Sequence, residues 1–358
     1  MAREMIEPIT NELRARAADP LLRIGRGMLP GTLRALPRGW ALVTQVEPLA
    51  HLDPTLLAAA GATTHMVDSL AVDALGRLIA ELPPGNAPVV GLGGGIALDA
   101  AKWCAWLTGR HLVLVPGVVS VDAAVTNTVA VREAGGVVYR GFVVADAIVL
   151  DPDFVRQAPA RLNRAGVGDL LSIHTGLHDW RLGAAAGTIA FDDEIAGAAA
   201  AVLDRVEALA PQIGAVSDAG LEGVLRAYAE VNALCLRAGH SGPEEGSEHY
   251  FGYHLEQVAG RSFVHGELIG LGTVLMAALQ GNDPDRPRRI LGDCRVDWSP
   301  TALGVELAAV REALVGLPAF VRGQHLPHSV IDEADLWPAA VDALLVRVLG
   351  PAPHSIPA

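Results

Sequence analysis

One carboxylate and two imidazoles, Asp169, His249 and His265, offer the donor types in this chain that best suit a divalent ion. Oxygen and nitrogen donors in this mix favour a borderline cation. Zinc comes first, with Fe2+, Ni2+ or Co2+ as other ions such a set accepts, and three protein ligands leave a fourth position open to substrate. Spacing alone does not select these three, because the chain holds 12 histidines and most histidines sit at the surface or satisfied in a core. A second chemical signal lies earlier, in Gly93-Gly94-Gly95, followed by Asp99 and Lys102. Glycines between a strand and a helix let backbone N–H groups approach a phosphate, and the helix N-terminus adds partial positive charge. A dinucleotide pyrophosphate fits such a turn, although the pattern is neither G-x-G-x-x-G nor a P-loop and a tight structural turn would look the same. Lys102 is the only lysine among 27 basic residues.

The elements that must position these groups divide the chain in two. Over residues 1–158, short apolar runs alternate with helical stretches, the rhythm of a parallel sheet covered by helices. Strands are expected at 40–44, 87–92, 111–115 and 147–150, and helices at 53–60, 72–81 and 96–107. Residues 125–131 and 136–144, separated by Glu133-Ala134-Gly135, read as a hairpin. Over residues 159–358, long alanine- and leucine-rich stretches at 189–210, 221–238, 268–279 and 301–314 read as helices, with 281–289 a polar loop. The fold class expected is an α/β Rossmann-like nucleotide-binding domain followed by an all-helical domain carrying metal and substrate.

Composition narrows the partners. A net charge of −13 argues against nucleic acid, whose phosphate backbone calls for a concentrated basic face. No apolar run approaches the roughly 20 residues of a membrane span. Residues Met1–Glu7 lack the apolar core of a signal peptide, so a cytoplasmic protein is expected. Three widely spaced cysteines, Cys104, Cys235 and Cys294, suit neither a disulfide framework nor a cysteine-based zinc site.

The word G-G-G-x-x-x-D-x-A-K resembles the superfamily of iron-containing alcohol dehydrogenases, glycerol dehydrogenases, glycerol-1-phosphate dehydrogenases and dehydroquinate synthases. Gly166-Val-Gly-Asp169, Ser247-Glu-His249 and His265-Gly-Glu267 stand where that superfamily carries its metal ligands. The stretch Pro159–Ser172 with Asp179-Trp180-Arg181-Leu182, and Ser241–His249, resemble glycerol-1-phosphate dehydrogenases in particular. The resemblance implies a dehydroquinate synthase-like fold, and a metal at Asp169, His249 and His265. It also implies NAD or NADP at Gly93, Gly94, Gly95, Asp99, Lys102, Pro116 and Ser120. Asp122 stands at the position of a cofactor- or substrate-facing aspartate. His254, in a run similar to one in dehydroquinate synthases, is a candidate proton relay, so Asp122 and His254 are the catalytic candidates. By the same analogy a homo-oligomer is expected.

Departures accompany the matches. Ser120-Val121-Asp122-Ala123 replaces a Ser-His-Asp-Gly word, and Gly242 stands where arginine is expected, followed by Glu244 and Glu245. Carboxylates near a phosphate pocket repel the ligand, which leaves room for a different polyol or ketone. The leading expectation is an NAD(P)-dependent, metal-assisted oxidoreductase interconverting a small polyol, such as glycerol 1-phosphate or a related sugar phosphate, and its ketone. A sugar-phosphate cyclase using NAD transiently, and an inactive NAD-binding protein, are the alternatives. Gln45 and Glu47, after an early strand, are the residues that would bear on NAD against NADP, Glu47 favouring NAD by repelling a 2′-phosphate. His174 and His178 share the helical stretch after Asp169, Asp146 and Asp151 read as turn residues, and Trp103 and Trp106 read as core.

Overall fold

Apolar runs of three to five residues form a parallel sheet in the first part of the chain. In the computed structural model, which describes residues 10–133 and 136–350, the strands are β1 (Leu22–Ile24), β2 (Ala41–Thr44), β3 (Thr63–Met66), β4 (Val89–Gly93), β5 (Leu112–Pro116), β6 (Val129–Glu133), β7 (Gly136–Arg140) and β8 (Ala147–Leu150). Six of them order as β1-β8-β5-β4-β2-β3, every pair parallel. A parallel sheet needs both faces covered, and β2, β4, β5 and β8 are buried along their whole length. One face closes on a cluster that includes Leu33, Trp40, Leu42, Val90, Val115 and Val149.

The glycine turn joins β4 to the helix Gly95–Thr108, which ends at Gly109 in the left-handed conformation. That helix lies so close to β4 that a Cβ on Gly91 would meet Ala101 Cβ at 2.6 Å. The anticipated hairpin is β6–β7, paired antiparallel from Val129↔Arg140 to Glu133↔Gly136. Its turn residues Ala134 and Gly135, like Met1–Glu7, lie outside the described residues. Strands β1 and β3, the two edges of the sheet, were not expected from the sequence.

The helical part differs from expectation at two places. Residues 301–314 are not one helix: Pro300–Leu303 stops at Gly304, left-handed at φ 65°, and a new helix runs Leu307–Gln324. The polar segment 281–289 is a loop only at its start, because Asp285–Asp293 is helical and buries Pro287, Ile290 and Leu291. Pro287 is tolerated there because N–H groups of a first helical turn have no partner within the helix. The other long helices include Ser172–Ala185, Asp193–Ala208, Asp218–Ala238, Ser247–Ala259 and His265–Gln280. Among the described residues no helix is long and apolar enough to cross a membrane.

Two compact units result. The first comprises Met1–Asn163 and Val216–Ala233, the second Arg164–Ala215 and Leu234–Ala358. Segment 216–233 returns to the first unit, where Asn232 Nδ2 donates to Val125 O at 3.2 Å and to Asn127 Oδ1 at 3.3 Å. Asp218 is paired there with Arg26 and Arg156.

Candidate metal centre and cofactor turn

Asp169 lies near the end of helix Ala160–Leu170, His249 in the first turn of Ser247–Ala259, and His265 opens His265–Gln280. The fold brings all three together: one ligand atom from each lies within 4.8 Å of the others. Asp169 Oδ1 is 3.1 Å from His265 Nε2 and 3.4 Å from His249 Nε2. Asp169 and His249 are buried, whereas the His265 side chain is 35% exposed, so the cluster opens to solvent on the His265 side.

Glycines set this convergence. A Cβ on Gly168 would collide with Gly266 O, and one on Gly266 would collide with Ala165 O, so the two helices meet backbone to backbone beside Asp169 and His265. Gly272 also lies close to Glu248 O, where a Cβ would come within 2.7 Å, and this seats the His249 helix on the His265 helix.

Behind His249 stands a layer that the motif reading had passed over. Glu248, wholly buried, accepts from His249 Nδ1 at 2.8 Å through Oε1, which also accepts from Gly246 N at 2.6 Å. Its Oε2 accepts from Thr175 Oγ1 at 2.6 Å. Asp179 accepts from Ser247 N and Val330 N, each at 2.8 Å, tying the start of the His249 helix in place. The sequence carried one signal of this layer, an acidic residue directly beside a candidate ligand.

Electrostatics follow from burial and from these pairings. Burial alone would raise the Asp169 carboxyl, yet the two histidines hold it well below the usual carboxylate range. Burial alone would lower His249, but hydrogen bonds to Asp169 and Glu248, with the charges of Glu245 and Glu248, lift it well above an ordinary imidazole. Asp179 is pushed up to about 6, first by burial and then by the nearby Glu248.

These residues fit a divalent ion on a test of their own. With Nδ1–H given to Glu248, neutral His249 turns its Nε2 lone pair toward an Asp169 oxygen that is itself an acceptor. Two acceptors 3.4 Å apart need a cation between them, either a proton on the imidazole or a metal.

The glycine turn forms a distinct cradle in the first unit. Gly93 has φ 144°, a conformation suited to glycine, and its carbonyl accepts from Gly117 N at 2.8 Å. Gly94 N donates to Gln45 Oε1 at 3.3 Å, which puts Gln45 beside the turn itself, while Glu47 lies exposed in the helix Val46–Ala50. Pro116 pairs with Gly93 in the sheet register. A Cβ on Gly95 would meet Val121 Cγ1 at 3.3 Å, so the stretch holding Ser120 and Asp122 runs along the same turn. Asp122 opens a short 3-10 turn, its carbonyl accepting from Val125 N and Thr126 N.

Other expected residues fall elsewhere. Asp99 and Lys102 are buried in the Gly95–Thr108 helix and paired at 2.6 Å. Lys102 Nζ also donates to Thr126 Oγ1, Thr126 O and Thr128 O, and is thereby committed to tying the helix to the 126–128 stretch. His254 is not brought to the metal cluster. It lies five residues on from His249, on a different helical face, where Nδ1 bonds Ala313 O at 2.8 Å and the ring stacks on Phe320. His174 is likewise engaged, with Nε2 2.7 Å from Asn282 O. Asp151 is more than a turn residue, since it accepts from Gly27 N and Leu29 N as well as capping its own helix. Trp103 is buried and meets Trp106 edge-on, as a core pair. A Cβ on Gly242 would lie 2.8 Å from the His240 ring, which packs edge-on against Trp180. Tyr253 OH donates to Glu245 Oε1 at 2.7 Å.

Residues 54–159 match the family described as iron-containing alcohol dehydrogenase. A glycerol-1-phosphate dehydrogenase [NAD(P)+] of Aeropyrum pernix is 32% identical over 256 residues, covering 72% of each chain. The chain belongs to the iron-containing alcohol dehydrogenase superfamily. A second superfamily member similar to it, the glycerol-1-phosphate dehydrogenase of Hyperthermus butylicus, is 31% identical over 268 residues, covering 73% of this chain and 74% of the relative. Among solved structures, glycerol dehydrogenase from Schizosaccharomyces pombe superposes with a TM-score of 0.68 over 91% of this chain and 88% of its own, at 18% identity. A probable glycerol dehydrogenase from Sinorhizobium meliloti gives 0.63 over 91% and 96%, at 21% identity. The Rossmann-like α/β region followed by an all-helical domain is the superfamily's fold.

Proposed function

We propose that this protein is an NAD(P)-dependent, metal-assisted oxidoreductase that interconverts a small polyol, glycerol 1-phosphate or a related polyol or sugar phosphate, and its ketone. The observation that carries the reading is the convergence of Asp169, His249 and His265 from three helices. They would hold a divalent ion, zinc first on donor chemistry. Bound there, such an ion supplies Lewis acidity to a hydroxyl or carbonyl oxygen. Asp169 brings the negative charge that keeps a cation, Glu248 fixes His249 with Nε2 as the free donor, and His265 borders the open side. In the first unit, Gly93, Gly94 and Gly95 would receive the pyrophosphate, with Gln45 releasing Gly94 N to it. Pro116 and Ser120 would flank the cofactor, and Asp122 would orient substrate or nicotinamide. Asp99 and Lys102 hold the helix behind the turn. Relatives named as glycerol-1-phosphate dehydrogenases support the choice of substrate class. Three cysteines outside any disulfide, two of them buried, suit a reducing, cytoplasmic setting.

Zinc-supplemented protein incubated with dihydroxyacetone phosphate and NADH or NADPH tests the reading through nicotinamide absorbance. Steady stoichiometric oxidation is expected. No oxidation with this ketone or with unphosphorylated dihydroxyacetone would overturn the polyol assignment.

A further inference from the structure

Glu248 has no surface of its own and, among the described residues, is hydrogen-bonded by Thr175, Gly246 and His249 with no lysine or arginine, so both of its oxygens are used. Oε1 takes His249 Nδ1 and Gly246 N, and Oε2 takes the Thr175 hydroxyl. Thr175 is itself fully buried on the neighbouring helix Ser172–Ala185. A carboxylate so enclosed costs desolvation energy, and three hydrogen bonds without a cation offset that only in part. The imbalance is relieved when its His249 partner shares positive charge. We infer that Glu248 is a positioning residue for the metal centre: its carboxylate, pinned by Thr175, fixes the His249 ring and tautomer and makes Nε2 a stronger donor. Histidine ligands backed by a carboxylate bind metal more tightly, and loss of such a backing group weakens binding by about 10–100-fold.

The inference rests on Asp169, His249 and His265 being a metal site, and the experiment separates the two ideas. Wild-type protein, Glu248→Gln and Thr175→Val are stripped of metal, and zinc affinity is measured by competition against a chromophoric chelator. Each is then loaded with Co2+ for its visible absorption spectrum. Glutamine keeps the shape of glutamate, retains an oxygen for His249 Nδ1 and Gly246 N, and turns its amide toward Thr175 Oγ1, so it removes charge with little change in packing. Glu248→Gln is expected to bind zinc ~10–100-fold more weakly, with a displaced Co2+ band, while the melting temperature of the metal-free protein stays near wild type. Thr175→Val, which keeps the carboxylate and frees Oε2, is expected to lose about fivefold in the same direction, because one of the bonds that pin the carboxylate is gone. Wild-type zinc affinity and an unchanged Co2+ spectrum in Glu248→Gln would overturn the positioning role. Should that variant not fold, wild-type affinity in Thr175→Val would do the same. Failure of wild-type protein to bind zinc or Co2+ would overturn the metal site itself.

Discussion

Gly168 and Gly266 face each other with no room for a methyl group on either, and the residues beside them, Asp169 and His265, are 3.1 Å apart. The distance between two donors is thus set by what two neighbouring positions lack.

Gly168→Ala or Gly266→Ala forces two backbones apart. Each substitution is expected to destabilise the protein by about 3 kcal/mol or more, at the upper end of overpacking costs. Urea titration would measure it, and metal content should fall in parallel. A stable variant with full metal content would contradict the close approach.

His265→Ala removes the partly exposed ligand without opening a fully buried cavity. It is expected to fold and to lose both metal retention and turnover. For the intact site, zinc at about 1,000 times its Kd should raise stability by about 4 kcal/mol over protein held in chelator, read as a melting shift.

Asp179 gives a pH signature. Its carboxyl is raised to about 6 in the folded protein against an ordinary value near 3.8. The folded state therefore holds that proton more tightly, and the contribution of Asp179 to stability is greatest at low pH and lost as pH rises from about 4 to about 6. A two-unit displacement corresponds to about 3 kcal/mol at most. The stability of wild type minus that of Asp179→Asn should decline across this window and level off above it. A flat difference would show that the carboxyl titrates normally.

Lys102 and Asp99 behave as a buried ion pair. Lys102→Met alone leaves a buried carboxylate uncompensated and is expected to cost ~3–5 kcal/mol. Combining it with Asp99→Leu should recover part of that loss, measured by denaturant titration. Full recovery by the double variant would mean that the bonds to Thr126 and Thr128 contribute nothing.

Thiol reactivity should be uneven. Burial pushes Cys104 and Cys294 up to about 12, so both stay protonated at pH 8. Iodoacetamide on native protein is expected to label Cys235 alone, and all three cysteines after denaturation, as read by mass spectrometry.

The sequence disclosed those parts of the molecule whose physics is local. The helix Val72–Glu81 and strand β8 match their expected limits because periodicity and flanking turn residues mark them. Strands β1 and β3 escaped because an edge strand of three or four residues, such as Leu22-Arg23-Ile24, carries little pattern. The break at Gly304 was written in a glycine that the alanine-rich run around it masked. For the site, resemblance supplied Asp169, His249 and His265, while Glu248, Thr175 and Asp179 needed coordinates, since 73 residues separate Thr175 from Glu248. His254, singled out by the same resemblance, stacks on Phe320 and bonds Ala313 O, contacts that the sequence did not announce.

The return of segment 216–233 to the first unit bears on how the chain is made. A polypeptide leaving the ribosome N-terminus first completes β8 at Leu150, yet Arg26 and Arg156 wait for Asp218, and Asn127 waits for Asn232. The first unit is therefore left open while 52 residues of the second unit, 164–215, emerge. The first unit cannot be finished until residue 233 has emerged, and nascent chains stalled near residue 200 should be more susceptible to protease than full-length protein.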